Sequence, residues 1–345
     1  MVTQEQIAHE LGVSRQLVTF ALAGQGQVSA KSRERILAAA ERMGYRPNPY
    51  ARALRRSSTG IVSLWIPNQI STYYANVARE LGRLVKQANQ ELIISEVRPD
   101  LSRHILSHVP IDGNFVVDVP ERAGAYAEGF VGQPVPVVSM GGHCDQKADF
   151  VEVDLLGGTR EVMKHLIGSG FRRIAHATLV TEDSPQARRR FGYLEAMAKA
   201  GLKPEFIYYP MVEMQRPVIR HLIQDYVRAH GCPEAIFCHS DDAAIAIYRG
   251  LVDMKIRVPD DVALVGCDGI PDTEYLECPL TTIVQPVAQM CAIAWKFMDQ
   301  RLRGIAAEKQ QAVISPELAL RASSMRTQAM KFPGPHAKTS TISFD

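Results

Sequence analysis

From Thr59 onward, short apolar runs bounded by Gly, Pro or Asp alternate with longer amphipathic stretches, and no other feature of the chain restricts its fold as much. Gly60–Ile66, Glu91–Val97, Asn114–Val119, Val135–Ser139 and Val151–Asp154 read as strands, with a helix over Tyr74–Asn89 and a short one ahead of Asn114. A second series follows: helix 157–168, strand Arg173–Thr178, helix 186–200, strand Phe206–Tyr209, helix 215–229, strand Ala235–His239, helix 241–254 and strand Val262–Gly266. Parallel neighbours cannot be joined by a hairpin and need a crossover, so strand-helix alternation predicts parallel, doubly wound sheets. There is enough of it for two lobes. The stretch between Val97 and Asn114 is short for a crossover with a full helix, which implies a clipped or reshaped wall in the first lobe.

The first 56 residues follow a different rule. Thr3 followed three residues later by Gln6 is a capping box, opening a helix with Ile7, Ala8 and Leu11 on its apolar side. Gly12-Val13-Ser14 breaks it, and Ser14 caps a second helix carrying Leu17, Val18, Ala21 and Leu22. Ser29 caps a third, lined by Ile36, Ala39, Ala40 and Met43 and stopped at Gly44. Two short helices joined by a Gly-containing turn form a helix-turn-helix, whose second helix enters the DNA major groove. Charge points the same way. Residues 1–56 hold nine Lys or Arg against four Glu, a surplus of five, while the whole chain is only +2, so the rest is acidic. A small helical packing module with a solvated basic face has the same composition.

The next stretch separates the two. In Tyr45-Arg46-Pro47-Asn48-Pro49-Tyr50-Ala51-Arg52-Ala53-Leu54-Arg55-Arg56, Asn48 and Pro49 suit the start of a helix of about two turns. So short a helix is not stable alone in water. Leu54, set among arginines, has the character of an apolar wedge inserted between base steps of the minor groove.

GVSRQLVTFAL, VSAKSRERILAAAERMGYRPN and the short segment ending in Leu54 resemble the headpiece and hinge of LacI/GalR-type transcriptional regulators. The resemblance continues in order through Ile70-Ser71-Thr72-Tyr73-Tyr74, Pro134–Val138, Glu152-Val153-Asp154, Gly170–Ile174, Arg189-Arg190-Phe191-Gly192-Tyr193, Ser240-Asp241-Asp242-Ala243, Gly266-Cys267-Asp268 and Pro279–Pro286, ending near Met325. It implies an α/β protein with a small all-α headpiece (residues 1–46), a hinge (47–59) and two periplasmic-binding-protein-like lobes (60–325), with a disordered tail at 326–345. The first lobe is expected at 60–152 and 286–314 and the second at 153–285 and 315–325, with chain crossings near Asp154, Gln285 and Ser315. A dimer binding a pseudo-palindromic double-stranded operator is implied, with Thr3, Ser14, Arg15, Gln16, Thr19, Phe20 and Ser29 of the headpiece and Asn48, Ala51, Leu54 and Arg55 of the hinge at the DNA. A small-molecule effector, a sugar or sugar derivative, would bind between the lobes and alter the spacing at which the paired hinges order. Ligands of open parallel sheets lie beyond the carboxyl ends of strands, and Tyr73, Tyr74, Arg189, Ser240, Asp241 and Asp268 fall there. Other roles compete: Asp241 as a helix cap, Arg189 as a solvated helix charge, Asp268 as the holder of a turn.

Three departures qualify the resemblance. Where the family commonly has Ser-Arg in the second helix, this chain has Thr19-Phe20, so Phe20 offers a base only an apolar surface, or else packs inward. A polar pair after the 135–139 strand is replaced by Met140-Gly141-Gly142, which speaks against a simple sugar, and the family's frequent Asp-Asn or Asn-Asp after the 235–239 strand is Ser240-Asp241.

A chain of 345 residues with 46% hydrophobic and 22% charged content suits a globular protein of two or three domains. With no apolar run long enough to span a membrane and a capped polar helix at the start, the expected location is cytoplasmic. The cysteines, Cys144, Cys232, Cys238, Cys267, Cys278 and Cys291, include no C-x-x-C pair and read as reduced core residues. A solute-binding protein of sugar-like ligands without DNA specificity would share the lobes. An enzyme needs a catalytic constellation, and no P-loop, G-x-S-x-G or H-E-x-x-H is present. His143, His165, His176 and His239 show no ligand spacing, and no cofactor or metal is expected.

Overall fold

Local capping builds the N-terminal unit. In the computed structural model, which describes residues 2–24, 26–45, 58–69, 71–97, 110–119, 135–145, 147–179, 187–210, 215–305 and 308–325, the helices are α1 (Gln4–Leu11), α2 (Arg15–Ala23) and α3 (Ala30–Arg42). Thr3 Oγ1 accepts from the Gln6 amide at 3.3 Å while Gln6 Oε1 accepts from the Thr3 amide at 2.8 Å, completing the capping box. Ser14 and Ser29 accept from the amides of Leu17 and Ser32, each at 3.2 Å. Gly12, at φ 65°, closes α1 in the left-handed region that glycine enters without steric cost. The faces meet in one core of Ile7, Ala8, Val18, Ala21, Ile36, Ala39 and Ala40, with Leu11, Leu17, Leu22 and Met43 packed around it.

The second compact unit begins at Ile61. Its elements are β1 (Ile61–Ile66), α4 (Thr72–Gln87), β2 (Glu91–Glu96), β3 (Gly113–Val117), β4 (Val137–Gly141), β5 (Asp149–Val153), α5 (Leu155–Gly168), β6 (Ile174–Leu179) and α6 (Ala187–Lys199). They continue as β7 (Glu205–Tyr209), α7 (Gln215–His230), β8 (Ala235–Cys238), α8 (Asp241–Asp253), β9 (Ala263–Asp268), β10 (Thr281–Val284), α9 (Val287–Leu302), β11 (Gln311–Ile314) and β12 (Glu317–Ala319). One six-stranded sheet runs β11-β5-β4-β3-β1-β2 and is parallel throughout; the other runs β12-β10-β9-β8-β6-β7, parallel except for β12.

Strand alternation explains why both faces of each sheet are dry. Along β8, Ala235 and Phe237 join the core under α5 and α6, whereas Ile236 and Cys238 join the one under α7 and α8. In the first sheet Leu64 and Ile66 pack toward α4 and α9, and Trp65 packs on the opposite face with Val116 and Val137. Burial on both faces makes such strands continuous apolar runs rather than alternating ones. The chain passes from the first sheet to the second after β5, returns between β10 and α9, and crosses again between β11 and β12.

Three strands were not anticipated as strands: β10, β11 and β12. β11 and β12 are half-exposed edge strands of four and three residues, too short and too mixed in polarity to show a period. The hinge segment with Asn48, Ala51, Leu54 and Arg55, most of the stretch ahead of Asn114, and the tail 326–345 lie outside the described residues. All six cysteines are free thiols, with Cys238, Cys267 and Cys291 buried. Among the described residues no helix is long and apolar enough to cross a membrane.

Candidate functional site

In the helical unit, α2 turns Arg15, Gln16 and Phe20 to solvent, Phe20 at 37% exposure. Phe20 is therefore not part of the core, although its ring lies 3.0 Å from where a Cβ on Gly26 would stand, propped by the following loop. Thr19 has a different part. Its hydroxyl donates to Gln4 Oε1 at 2.9 Å, and Gln4 Nε2 in turn donates to the Tyr45 hydroxyl at 3.0 Å, so Thr19 ties α2 to α1 and to the end of α3. Thr3, Ser14 and Ser29 are exposed caps. Two of the exposed basic residues are engaged within their own unit: Arg35 donates to the Leu11 carbonyl at 2.7 Å and Arg42 pairs with Glu10.

In the α/β unit, strand ends from both sheets bring polar groups together. α4 starts directly beyond β1 and presents Tyr73 and Tyr74, whose rings meet edge-on with centroids 5.1 Å apart. The Tyr73 hydroxyl donates to Gln285 Oε1 at 3.2 Å, and Gln285 Nε2 donates to Asp268 Oδ1 at 2.9 Å, linking the first lobe to the end of β9. Tyr74 reaches Asp118 Oδ2 at 3.4 Å. Arg189, on the first turn of α6, is 7% exposed; it contacts His239 Nε2 at 2.8 Å and Cys267 Sγ at 3.6 Å. Among the described residues it has no carboxylate within salt-bridge distance, and its Nε has no partner.

Electrostatics follow from this geometry. Burial pushes the Asp118 carboxyl up to about 6, against the Arg189 charge and hydrogen bonds from the His143 and Gly142 amides and Tyr74. Burial, then the Asp241 charge, raises Asp268 well above the carboxylate range. Burial opposes the Arg189 charge, yet Cys267, Asp268 and Asp118 around it raise its pKa on balance. His143 is lowered to about 3 by burial and by Arg189 and Arg188, so its imidazole is neutral. His239 is lowered by burial, then by Arg189, His176 and His143.

Asp241 takes a scaffold role, contrary to the expectation that it meets a ligand, and Ser240 beside it caps the helix. Asp241 is fully buried: Oδ2 accepts from the amides of Gly269 and Ile270 at 2.7 and 2.9 Å, and Oδ1 accepts from the Thr282 hydroxyl at 2.7 Å. A Cβ on Gly266 would stand 2.0 Å from that Oδ1, so the glycine leaves room for the carboxylate. The helix cap is Ser240, accepting from the Ala243 amide at 3.2 Å. Asp268, 8% exposed, instead keeps a face toward Gln285 and adopts φ 136°, a conformation rare for a residue with a side chain.

The polar group that seemed lost after β4 comes from β3. Asp118, at φ 54°, accepts from the His143 amide at 3.1 Å. Gly141 is what admits it: at φ 116°, a Cβ there would stand 2.3 Å from Asp118 Oδ1. Asp118, His143, His239 and Gln285 were not recognised from sequence as site residues. His176 and His143 lie near enough to His239 to add to its lowering by burial and Arg189. Among the described residues no group of three or more His, Cys, Asp and Glu is arranged to hold a metal ion.

Comparison with known proteins places this arrangement. Residues 3–48 match the family of bacterial regulatory proteins, lacI family, and residues 163–324 match a periplasmic binding protein-like domain. The chain is 28% identical over 331 residues to the ribose operon repressor of Haemophilus influenzae, covering 94% of this chain and 98% of that one. It superposes on a transcriptional regulator CelR–cellobiose complex with a TM-score of 0.67 at 25% identity, covering 94% of this chain and all (100%) of the other. The fold is also that of the lac repressor dimer bound to operator and the anti-inducer ONPF, with a TM-score of 0.75, 21% identity and coverage of 94% and 99%. The chain belongs to the lacI family of bacterial regulatory proteins, DNA-binding regulators of transcription. These relatives are transcriptional regulators, not enzymes.

Proposed function

We propose that this chain is a dimeric, cytoplasmic repressor whose operator affinity is set by a sugar or sugar derivative held between its two lobes. One observation carries the reading: Tyr73, Tyr74, Arg189 and Asp268, contributed by strand ends of both sheets, converge on one buried polar locus in a chain whose helical unit exposes Arg15, Gln16 and Phe20. Two relatives support the choice of ligand and action, one named a ribose operon repressor and one solved with cellobiose. In this reading Arg15, Gln16 and Phe20 face base edges, Thr19 supports them, and Asn48, Ala51, Leu54 and Arg55 form the hinge, with Leu54 as the minor-groove wedge. A ligand that prefers one lobe angle shifts the population of DNA-competent dimers by its differential affinity. The chain acts by binding, not by turnover.

Selection of bound DNA from a random library by the purified protein tests the reading. Recovery of an inverted repeat of about 16–20 base pairs supports the dimeric regulator. Binding that is salt-sensitive and indifferent to sequence sinks it. On the recovered site, Leu54→Ala is expected to weaken binding strongly, and unchanged affinity removes the wedge.

A further inference from the structure

His143 is 4% exposed, yet both of its ring nitrogens lack a hydrogen-bond partner among the described residues. An imidazole so deeply buried leaves a donor and an acceptor unmatched, at a cost of about 1–3 kcal/mol for each such group. Its own backbone amide donates to Asp118 Oδ1 at 3.1 Å, so the two residues stand side by side on the first-lobe wall. Opposite them, from the second lobe, Arg188 and Arg189 act on the ring. Asp118 accepts from Tyr74 and two backbone amides, and no basic side chain of the described residues lies within salt-bridge distance of it.

We propose that Asp118 and His143 form a first-lobe subsite for two adjacent hydroxyls of a neutral sugar, one donated to the carboxylate and the other exchanged with the imidazole. This rests on the reading of the interlobe locus as an effector site. Charge selects neutrality. An anionic ligand would face the Asp118 carboxylate, and a cation seated against His143 would face Arg188 and Arg189. A diol adds no charge and supplies both a donor and an acceptor, which is what the imidazole lacks. The subsite also replaces the polar pair missing at Met140-Gly141-Gly142, since Gly141 is the residue that makes room for Asp118.

Titration calorimetry of the full chain with D-ribose, D-glucose, cellobiose, a monodeoxy analogue of each, and D-glucuronate tests the subsite. A neutral sugar is expected to bind. Removal of one hydroxyl from the ligand on the unaltered protein, or Asp118→Asn or His143→Phe in the chain, is expected to weaken it roughly 10- to 100-fold, the range of a hydrogen bond to a charged group. Asp118→Asn and the matching deoxy sugar should show non-additive losses, which a merely structural defect does not produce. Equal binding of a neutral sugar to the unaltered protein and both variants overturns the subsite. Preference for glucuronate, or no binding by any neutral sugar in the panel, overturns the ligand class. Sugar binding that obeys the subsite but leaves affinity for the selected DNA untouched overturns the regulatory reading alone.

Discussion

Arg188 Nη2 lies 2.6 Å from Glu152 Oε1, joining the first turn of α6 in the second lobe to β5 in the first. The Glu152 side chain is only 5% exposed and that of Arg188 37% exposed, so one end of the pair is dry and the other wet. With the Tyr73–Gln285 hydrogen bond it holds the lobes in the arrangement described. Glu152→Gln keeps shape and removes the charge. Because water screens the arginine, the expected loss is about 1 kcal/mol, seen as a several-fold weaker effector affinity and a larger scattering radius of the free protein. An unaltered radius and affinity would show that the pair does not hold the lobes.

Asp241→Ala separates scaffold from ligand contact. The substitution strands two backbone amides and the Thr282 hydroxyl, each worth about 1–3 kcal/mol when left unmatched in the interior. A loss of about 3 kcal/mol or more in urea unfolding is expected. A variant of normal stability that fails only to bind effector would return Asp241 to the ligand site.

Stability against pH isolates Asp118. Its folded pKa of about 6 exceeds the unfolded value, so the folded state holds more protons between about pH 4 and 6, and this group's contribution falls as pH rises through that window. Asp268 and Asp241 act in the same sense, while the lowered His143, His176 and His239 act oppositely, gaining stability as pH rises toward the ordinary histidine value. Asp118→Asn removes one carboxylate from this balance. Relative to the parent, the variant should gain about 1–3 kcal/mol between pH 4 and pH 7, reaching a plateau above 6. Parallel curves across that range would place the Asp118 carboxylate in ordinary solvent.

Phe20→Arg alters reading without altering folding. Because Phe20 lies outside the helical core, the expected stability change is within about 0.5 kcal/mol. Library selection with the variant should move the preferred base pair at one position of each half-site toward guanine, which arginine contacts bidentately. An unchanged consensus would take Phe20 off the base edges.

What the sequence revealed was local. Thr3, Ser14 and Ser29 announced the three helices because a cap and the amides it satisfies lie within three residues of each other. In the second sheet β6, β7, β8 and β9 were legible as apolar runs, whereas β10 and β12 were not. The site was only half legible. Tyr73, Arg189 and Asp268 stand at strand ends in familiar motifs, but Asp118 and His143 matter through each other and through Arg189, which is far away in the chain. Met140-Gly141-Gly142 looked like a loss, since a glycine shows nothing of the neighbouring side chain it accommodates. Asp241 was misjudged because its partners, Gly269, Ile270 and Thr282, come from segments that folding alone brings to it.

The last crossing, from β11 to β12, has a consequence for biosynthesis. β11 completes the edge of the first sheet beside β5, and β12 completes the edge of the second beside β10, so residues near 311–319 finish both lobes almost simultaneously. During translation the helical unit emerges ahead of both lobes and its core is entirely its own, whereas neither sheet can acquire its final edge until residues 311–319 have been made. Premature termination after the helical unit but before β11 therefore yields a chain with an intact DNA-reading head and a sensing half that cannot mature. For a regulator, such a fragment is a reader without a switch, and cells that translate it have reason to degrade it.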